Sequence, residues 1–442
     1  MSNIPILHND FCSGCGVCVA VCPVSAIEMS LDKYGELKPT ATVNKCTECG
    51  LCKTCYFYAE KTKSSCTQKT DLPGDIIQCF VGGVNNADDR SKTHSGGMAT
   101  WILRQILEQN IVDYVICVTT NNNKFSLFSY TIVNDSADIK KSAGSKYVQV
   151  SADQVVRHIL NHSGRYVIIG LPCLIQTLHA ARKKIPKLKE RLFFLLGLTC
   201  LHNKTNFFNS HISSFFKSSS HNVNIIYRYK CGRTPLPPVI KIEDENNAKV
   251  WLPEDPVNRH IWSVFSNASF GIKACNCCDD VFAEYSDASF MDAWLPAYKN
   301  KPEGNSIVIV RNPLINEIIL DGIKKAEISL AIISSADAKG SQTAAIHKKT
   351  KVLSRYLYYY PKKGLILPER KVTPQKPSQG ELIEIILQET LRAVSGRCYA
   401  KIKKQGHFLF LYRNIFLFYF WLHERYFQLR NIFRTIVQKV YK

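Results

Sequence analysis

Cysteine is the residue type whose spacing carries most chemistry in this chain. Cys12, Cys15, Cys18 and Cys22 stand at C-x2-C-x2-C-x3-C with Pro23 next, and Cys46, Cys49, Cys52 and Cys55 follow at x2 steps. Four thiolates hold a four-iron cluster, and the first run has the spacing of bacterial two-cluster proteins. In that pattern the fourth cysteine of each run crosses over. One cluster is then expected on Cys12, Cys15, Cys18 and Cys55, the other on Cys46, Cys49, Cys52 and Cys22. Zinc ribbons also use C-x2-C, but as two pairs separated by a longer loop. Disulfides suit exported proteins, and Met1 to Asp10 lacks the basic start and apolar run of a secretory signal. The second run closes at x2 with Tyr56 where a proline is expected, so Cys66 stands as the alternative to Cys55.

Four more cysteines lie far apart in the chain. Cys173 ends a strand-like run in Gly170-Leu171-Pro172-Cys173, Cys200 follows another, and Cys275 and Cys278 form a C-x2-C around Cys277. Sites in α/β sheets collect in loops at strand ends, so these four can converge on a further cluster. Taken singly, each reads equally as a buried free cysteine. Cys79, Cys117 and Cys231 read as core or incidental. Ser95-Gly96-Gly97 precedes a helical stretch, and a helix N-terminus after paired glycines can receive a phosphate. The same pair is an ordinary turn and cap. Ala143-Gly144-Ser145-Lys146-Tyr147 is a second such turn, with a lysine of phosphate-reaching length.

These residues need a scaffold. With 442 residues, 45% hydrophobic and 21% charged, the chain predicts two or three globular domains. The cysteine runs occupy 1–60, and 61–75 is polar and aperiodic with Pro73-Gly74, a linker signature. Residues 76–350 alternate apolar strands with helices. Asp113–Thr119, Arg165–Ile169, Phe193–Thr199 and Ser306–Val310 read as strands, and Met98–Gln109 as a helix with Ile102, Leu103, Ile106 and Leu107 on one face. A short strand is expected at Thr40–Val43. Residues 351–405 are basic and contain proline, with one helix from about Gly380 to Val394. The fold class is therefore α+β: a ferredoxin-like two-cluster domain, a larger mixed α/β domain, and a basic helical tail over 406–442.

The order of motifs is similar to one family. SGGMATWILRQIL, AGSKYVQV, YVIIGLPCLIQTL, LLGLTCLHN and CNCC with YSDASFMDAW succeed the cysteine runs. This order resembles the family of coenzyme F420 hydrogenase/dehydrogenase beta subunits over about residues 1–330. Gly170–Ile175 resembles its G-T/S-P-C-Q stretch, with Leu171 for Thr and Leu174 for Gln. Gly197–His202 resembles D-x-x-C-H-G, with Leu201 inserted before His202. Cys275–Trp294 resembles C-x-x-C followed by A-D-I-x-x-G-D-x-W, and Asp287, Asp292 and Trp294 match. The resemblance implies an oxidoreductase with FAD beside an iron–sulfur cluster. It makes Gly96, Gly97, Ser145 and Lys146 flavin-phosphate candidates, and Cys173, Cys200, Cys275 and Cys278 candidates for a third four-iron cluster. Asp292 is either a ligand-orienting carboxylate or a structural cap. The implied activity is a relay of single electrons through clusters to a flavin and an organic substrate, F420-like or linked to polysaccharide synthesis. The alternative is an electron-transfer subunit that serves a partner oxidoreductase.

The formal charge is +21. No helix-turn-helix, zinc-finger or RNP-like signature accompanies it, so the excess is not read as nucleic-acid binding. The implied partners are a redox donor or acceptor protein and, through the tail, a membrane surface. From Phe408 to Leu422 the tail is aromatic and apolar except for Arg413 and Asn414. Arg425, Arg430, Arg434, Lys439 and Lys442 then alternate with apolar residues. That pattern suits a helix lying in a bilayer interface or one packed on the core. A cytoplasmic setting is expected, with peripheral contact at the inner membrane face.

Overall fold

The computed structural model describes residues 10–55, 72–120, 126–216, 223–232, 237–405 and 409–440. Tyr56, Cys66 and most of the expected linker lie outside them. Strands β1 (Ile27–Leu31) and β2 (Leu37–Ala41) form an antiparallel hairpin between the two cysteine runs. The strand expected at Thr40–Val43 thus ends earlier, and Val43–Lys45 turns into a 3-10 helix.

The scaffold is a mixed sheet of eight strands: β3 (Gln78–Val84), β4 (Tyr114–Thr120), β5 (Phe128–Val133), β6 (Tyr166–Gly170), β7 (Leu192–Leu198), β11 (Ala288–Asp292), β12 (Ser306–Val310) and β13 (Ile328–Ile333). Their order is β13-β3-β12-β11-β7-β6-β4-β5. The central pairs β4/β6, β6/β7 and β7/β11 are parallel and the outer pairs antiparallel. β6 and β12 are buried along their whole length, which is why they read as unbroken apolar runs rather than alternations. One face of the sheet is covered by helices Met98–Glu108 and Pro313–Lys324. The other carries helices Asp153–Asn161 and Pro172–Lys184, against which the N-terminal cysteine unit packs through Val17, Val19 and Leu37. A small antiparallel sheet of β8 (Asn224–Ile226), β9 (Ile240–Glu243) and β10 (Ala248–Trp251) sits beside it.

Two long helices close the chain. Gln379–Gln405 runs eleven residues beyond the expected end at Val394, because Leu391, Cys398 and Tyr399 bury in the cluster around β8–β10. It crosses the β1/β2 hairpin, where Arg392 donates to Glu36 at 3.1 Å and Arg397 to the Tyr34 hydroxyl at 3.1 Å. Helical structure also continues through residue 350. Lys348–Val352 is a π-helical turn leading into helix Leu353–Tyr359, which packs on the Cys277–Cys278 turn.

Candidate functional site

The two N-terminal runs fold alike. Gly14, two residues after Cys12, has φ +76°, and Glu48, two after Cys46, has φ +53°. Each donates its backbone N–H to the earlier thiol at 3.4 Å. Gly16 and Gly50, at φ +77° and +74°, then start one-turn helices Val17–Ala20 and Leu51–Thr54 that carry Cys18 and Cys52. Glycine accepts this left-handed geometry without strain; Glu48 adopts it against preference, as residues at functional sites often do. The Cys22 thiol accepts the Ala26 N–H at 3.2 Å.

Burial pushes the thiols up, Cys12 to about 11 against the pull of Lys38 and Cys55 to about 12 against a hydrogen bond from Thr54, with neighbouring thiols adding to the rise. Cys18 feels Cys15, Cys12, Cys55 and Cys52. Cys52 feels Cys49, Cys22 and Cys46. The crossed sets of the expected pattern are therefore spatial neighbours, with Cys55 buried at 3% exposure among them.

The distant cysteines also come together. Burial raises Cys173, and after it the proximity of Cys200, Cys278, Cys15 and Cys275. Cys173 starts the helix after β6, Cys200 follows β7, and Cys275 and Cys278 sit at the 3-10 turn Lys273–Cys277. The parallel strands thus deliver two thiols at their carboxyl ends, and the turn before β11 delivers the other two. Cys15 links this quartet to the N-terminal unit. No three His, Cys, Asp or Glu side chains among the described residues close on one point as ligands of a single ion would. A four-iron cluster instead spreads its thiolates over separate corners.

Sequence reasoning missed the cations here. Lys349, 3% exposed, donates to the Cys278 thiol at 3.2 Å and to the Asp280 carbonyl. Burial opposes its charge, but Cys278, Cys200 and Asp280 outweigh that and hold its pKa above the ordinary lysine range. Lys348 lies near Cys275 and Cys200 and 3.1 Å from His202 Nδ1, and burial lowers it to about 8. A fully buried Lys204 donates to the carbonyls of Val264, Asn267 and Ser269. The sequence pattern does not single out Lys348 or Lys349. The π-helical turn that buries them is visible only in the structure.

A cleft enclosing about 90 Å³ opens at the end of β11. Its walls include His94, Ser95, Arg228, Asp292, Trp294 and Asn305. Asp292 pairs with Arg228 at 2.5 Å, and that guanidinium lies over the Trp294 ring at 5.7 Å. Lys230 is held by the carbonyls of Arg90, Ser95 and Glu303 at 2.6–2.8 Å. The Asn305 Nδ2 amide is buried in this wall without a partner.

None of the four flavin-phosphate candidates lines this cleft; they stand behind its wall or connect to it through His94. Gly96 is buried with its N–H on Ser306 Oγ at 3.0 Å, and a Cβ there would stand 2.2 Å from the Gly82 carbonyl oxygen. It is a close-packing residue behind the wall. Gly97, at φ +83°, starts helix Met98–Glu108. Ser145 donates its N–H to His94 Nδ1 at 2.9 Å. That leaves the proton of the neutral ring on Nε2, and His94 is kept neutral by burial and by Arg228, Lys146 and Lys230. The Lys146 ammonium turns back onto the carbonyls of Ser142, Ala143 and Gly144 at 2.6–3.1 Å, away from the outward reach expected of it. Asp287, matched by the family motif, binds the Leu195 N–H and the Asn312 amide, so it ties β7 to β11.

Cleft and cysteine quartet are joined by aromatic rings. Tyr147, a neighbour of Arg228 and Asp292, packs on Phe265 at 4.8 Å, and Phe265 packs on His202 at 4.9 Å, beside Lys348.

This sheet, with thiols at strand ends and a basic cleft, is the setting of a redox protein. Family models for the coenzyme F420 hydrogenase/dehydrogenase beta subunit match the chain, the N-terminal part over 79–157 and the C-terminal part over 163–336, and a 4Fe-4S binding domain matches 5–28. The chain belongs to the family of coenzyme F420 hydrogenase/dehydrogenase beta subunits. Among curated proteins it is similar to a subunit of the F(420)H(2) dehydrogenase of Methanosarcina mazei, 21% identical over 206 residues, 45% of this chain and 55% of that protein. An uncharacterised protein of Methanocaldococcus jannaschii is 26% identical over 217 residues, 43% of this chain and 59% of its own. The chain thus spans between half and three fifths of these relatives' lengths. The F420-reducing NiFe hydrogenase complex from Methanosarcina barkeri contains a chain 16% identical, with TM-score 0.48, over 70% of this chain and 99% of that one.

Proposed function

We propose that this chain is an iron–sulfur flavoprotein that relays single electrons through three four-iron clusters to a flavin serving an organic substrate. The observation that carries this reading is the grouping of twelve thiols into three adjoining sets, with Cys52 beside Cys18 and Cys15 beside Cys173. In the reading, Cys12, Cys15, Cys18 and Cys55 hold the middle cluster. Cys46, Cys49, Cys52 and Cys22 hold the outer one, and Cys173, Cys200, Cys275 and Cys278 the inner one. The matching geometry of the two N-terminal loops supports a second cluster beyond the matched segment 5–28.

In this reading the planar ring of FAD lies at the mouth of the cleft. Trp294 offers an aromatic face, the Asn305 amide an unmet donor, and Arg228 a cation that Asp292 fixes in place. Bound flavin supplies the exchange between one-electron and two-electron chemistry. Around it, neutral His94 presents a protonated Nε2, and the Tyr147, Phe265 and His202 rings lie in contact between cleft and quartet. The substrate proposed is F420-like or, on the family resemblance, one linked to polysaccharide synthesis.

A second reading is favoured by the name of the Methanosarcina mazei relative, one subunit of a dehydrogenase. Here the chain delivers electrons to a partner protein and has no substrate of its own. Anaerobic purification followed by iron, sulfide and flavin analysis separates the two. About twelve irons per chain with flavin is the expected result for three four-iron sites; irons without flavin favour the delivery role. Zinc, or no metal, overturns both.

A further inference from the structure

The closing helix, Leu409–Val440, is apolar on two sides. Its inner side is accounted for: Phe416 is fully buried against Phe270 at 5.3 Å and His211 at 5.5 Å, and His423 contacts Gln388 at 2.8 Å. The outer side is not. Ile415, Phe418, Leu422 and Leu429 recur at three, four and seven residues, with Trp421 beside them, and they are 37–67% exposed. Helical spacing puts such positions on one stripe. A helix packed by one face ordinarily presents charge on the other, so this stripe is unusual. Leu382, Ile383 and Ile386 are also exposed on the neighbouring helix. The Tyr426 hydroxyl donates to the Gly380 carbonyl, which sets the start of that helix beside the turn bearing Leu429.

The sequence of the closing stretch is almost all positive, and the acids nearest it on the neighbouring helix, Glu381 and Glu384, are paired with Arg355 and Arg430. From Arg397 to Lys442 the sequence holds ten Lys and Arg and a single acid, Glu424. Arg425 lies within the stripe, its guanidinium 5.7 Å from the Trp421 ring. No helix among the described residues is long and apolar enough to cross a membrane. A second copy would face this surface with itself in a two-fold pair, setting cation against cation. Exposed Trp, Phe and Leu framed by Arg and Lys instead match the boundary of an anionic bilayer, where rings enter the headgroup region and cations meet phosphate.

We propose that the outer face of helix Leu409–Val440 docks in the plane of an anionic lipid surface, holding the redox unit at the membrane without crossing it. Full-length protein, purified anaerobically, is to be sedimented with phosphatidylcholine vesicles containing about 30% phosphatidylglycerol and with phosphatidylcholine alone. Binding is expected to the anionic vesicles, weaker by roughly tenfold or more on neutral ones, and lower by a similar factor in the variant Phe418→Asp/Leu422→Asp. Thermal midpoints establish that this variant is folded. Should it fail to fold, quenching by brominated lipid decides: quenching present in the wild type and lost in Trp421→Phe supports docking. Absence of that quenching overturns it. A folded variant that sediments like the wild type also overturns it, as does a wild type that dimerises through this face and ignores vesicles.

Discussion

Replacing Lys349 with methionine keeps the length of the side chain and removes its charge from beside the inner thiol quartet. The ammonium stands 3.2 Å from the Cys278 sulfur. At an effective dielectric of about 20, a unit charge at that distance is worth roughly 5 kcal/mol. An added electron spreads over the whole cluster and Asp280 offsets part of the field, so about a fifth to two fifths of that, roughly 1–2 kcal/mol, bears on reduction. With 59 mV for each tenfold change in a one-electron equilibrium, the shift is about 40–90 mV. Its sign follows from charge: reduction adds a negative charge that Lys349 stabilises, so Lys349→Met lowers the midpoint potential of the inner cluster. The assay is a redox titration followed by electron paramagnetic resonance on wild type and variant of equal iron content. An unchanged or raised potential at equal iron refutes the placement of a redox centre on these thiols.

Cys173→Ala should remove about four irons per chain and leave the N-terminal signals intact, by iron analysis and spectroscopy. Trp294→Ala should weaken flavin retention by roughly fivefold, measured by equilibrium dialysis, through loss of an aromatic face worth about 1 kcal/mol. Gly96→Ala should lower the thermal midpoint, since its Cβ meets backbone rather than a movable side chain; the expected cost is about 2 kcal/mol or more. His94 is held neutral in the fold while the unfolded chain protonates it near 6.5. Its contribution to stability is therefore full above that pH and is lost as pH falls below it, at up to ~1.4 kcal/mol per unit. Urea midpoints at pH 7.5 and 5.5 should thus converge in His94→Gln relative to wild type.

The parts of the fold governed by local pattern are legible in the sequence. β12 reads at its true limits and β4, β6 and β7 to within a residue, because strands of a sheet covered on both faces are short, largely apolar runs whatever their direction. The cysteine runs announce themselves by spacing, and the distant quartet by position at strand ends. What escapes is whatever depends on packing between remote segments. Helix Gln379–Gln405 outruns its expectation because Cys398 and Tyr399 find a core that the local pattern does not encode. Lys349 is a lysine in a basic run until the π-helical turn buries it against Cys278. Lys146 reads as a phosphate ligand because its neighbours are glycine and serine; in the structure three nearby carbonyls claim its ammonium first. Arg228 has no signal at all, since its meaning comes from Asp292, sixty-four positions onward.

The two sequence readings of the tail do not exclude each other: the structure shows core packing on one side, and docking is the proposal for the other. Membrane docking and core packing exclude each other only if the stretch has a single apolar surface. A helix offers two sides, and the spacing separates them. Phe416 and His423 stand seven apart and face inward, whereas Phe418 and Leu422 stand four apart and face out. The inner set explains why the helix is ordered against β8–β10 and Gln379–Gln405. It does nothing for the outer set, whose exposure costs roughly 25 cal/mol for each Å² of apolar surface left in water. Core stability therefore cannot be the reason for aromatic residues on the outer stripe. Polar substitutions there should leave folding untouched while abolishing whatever interaction the stripe serves.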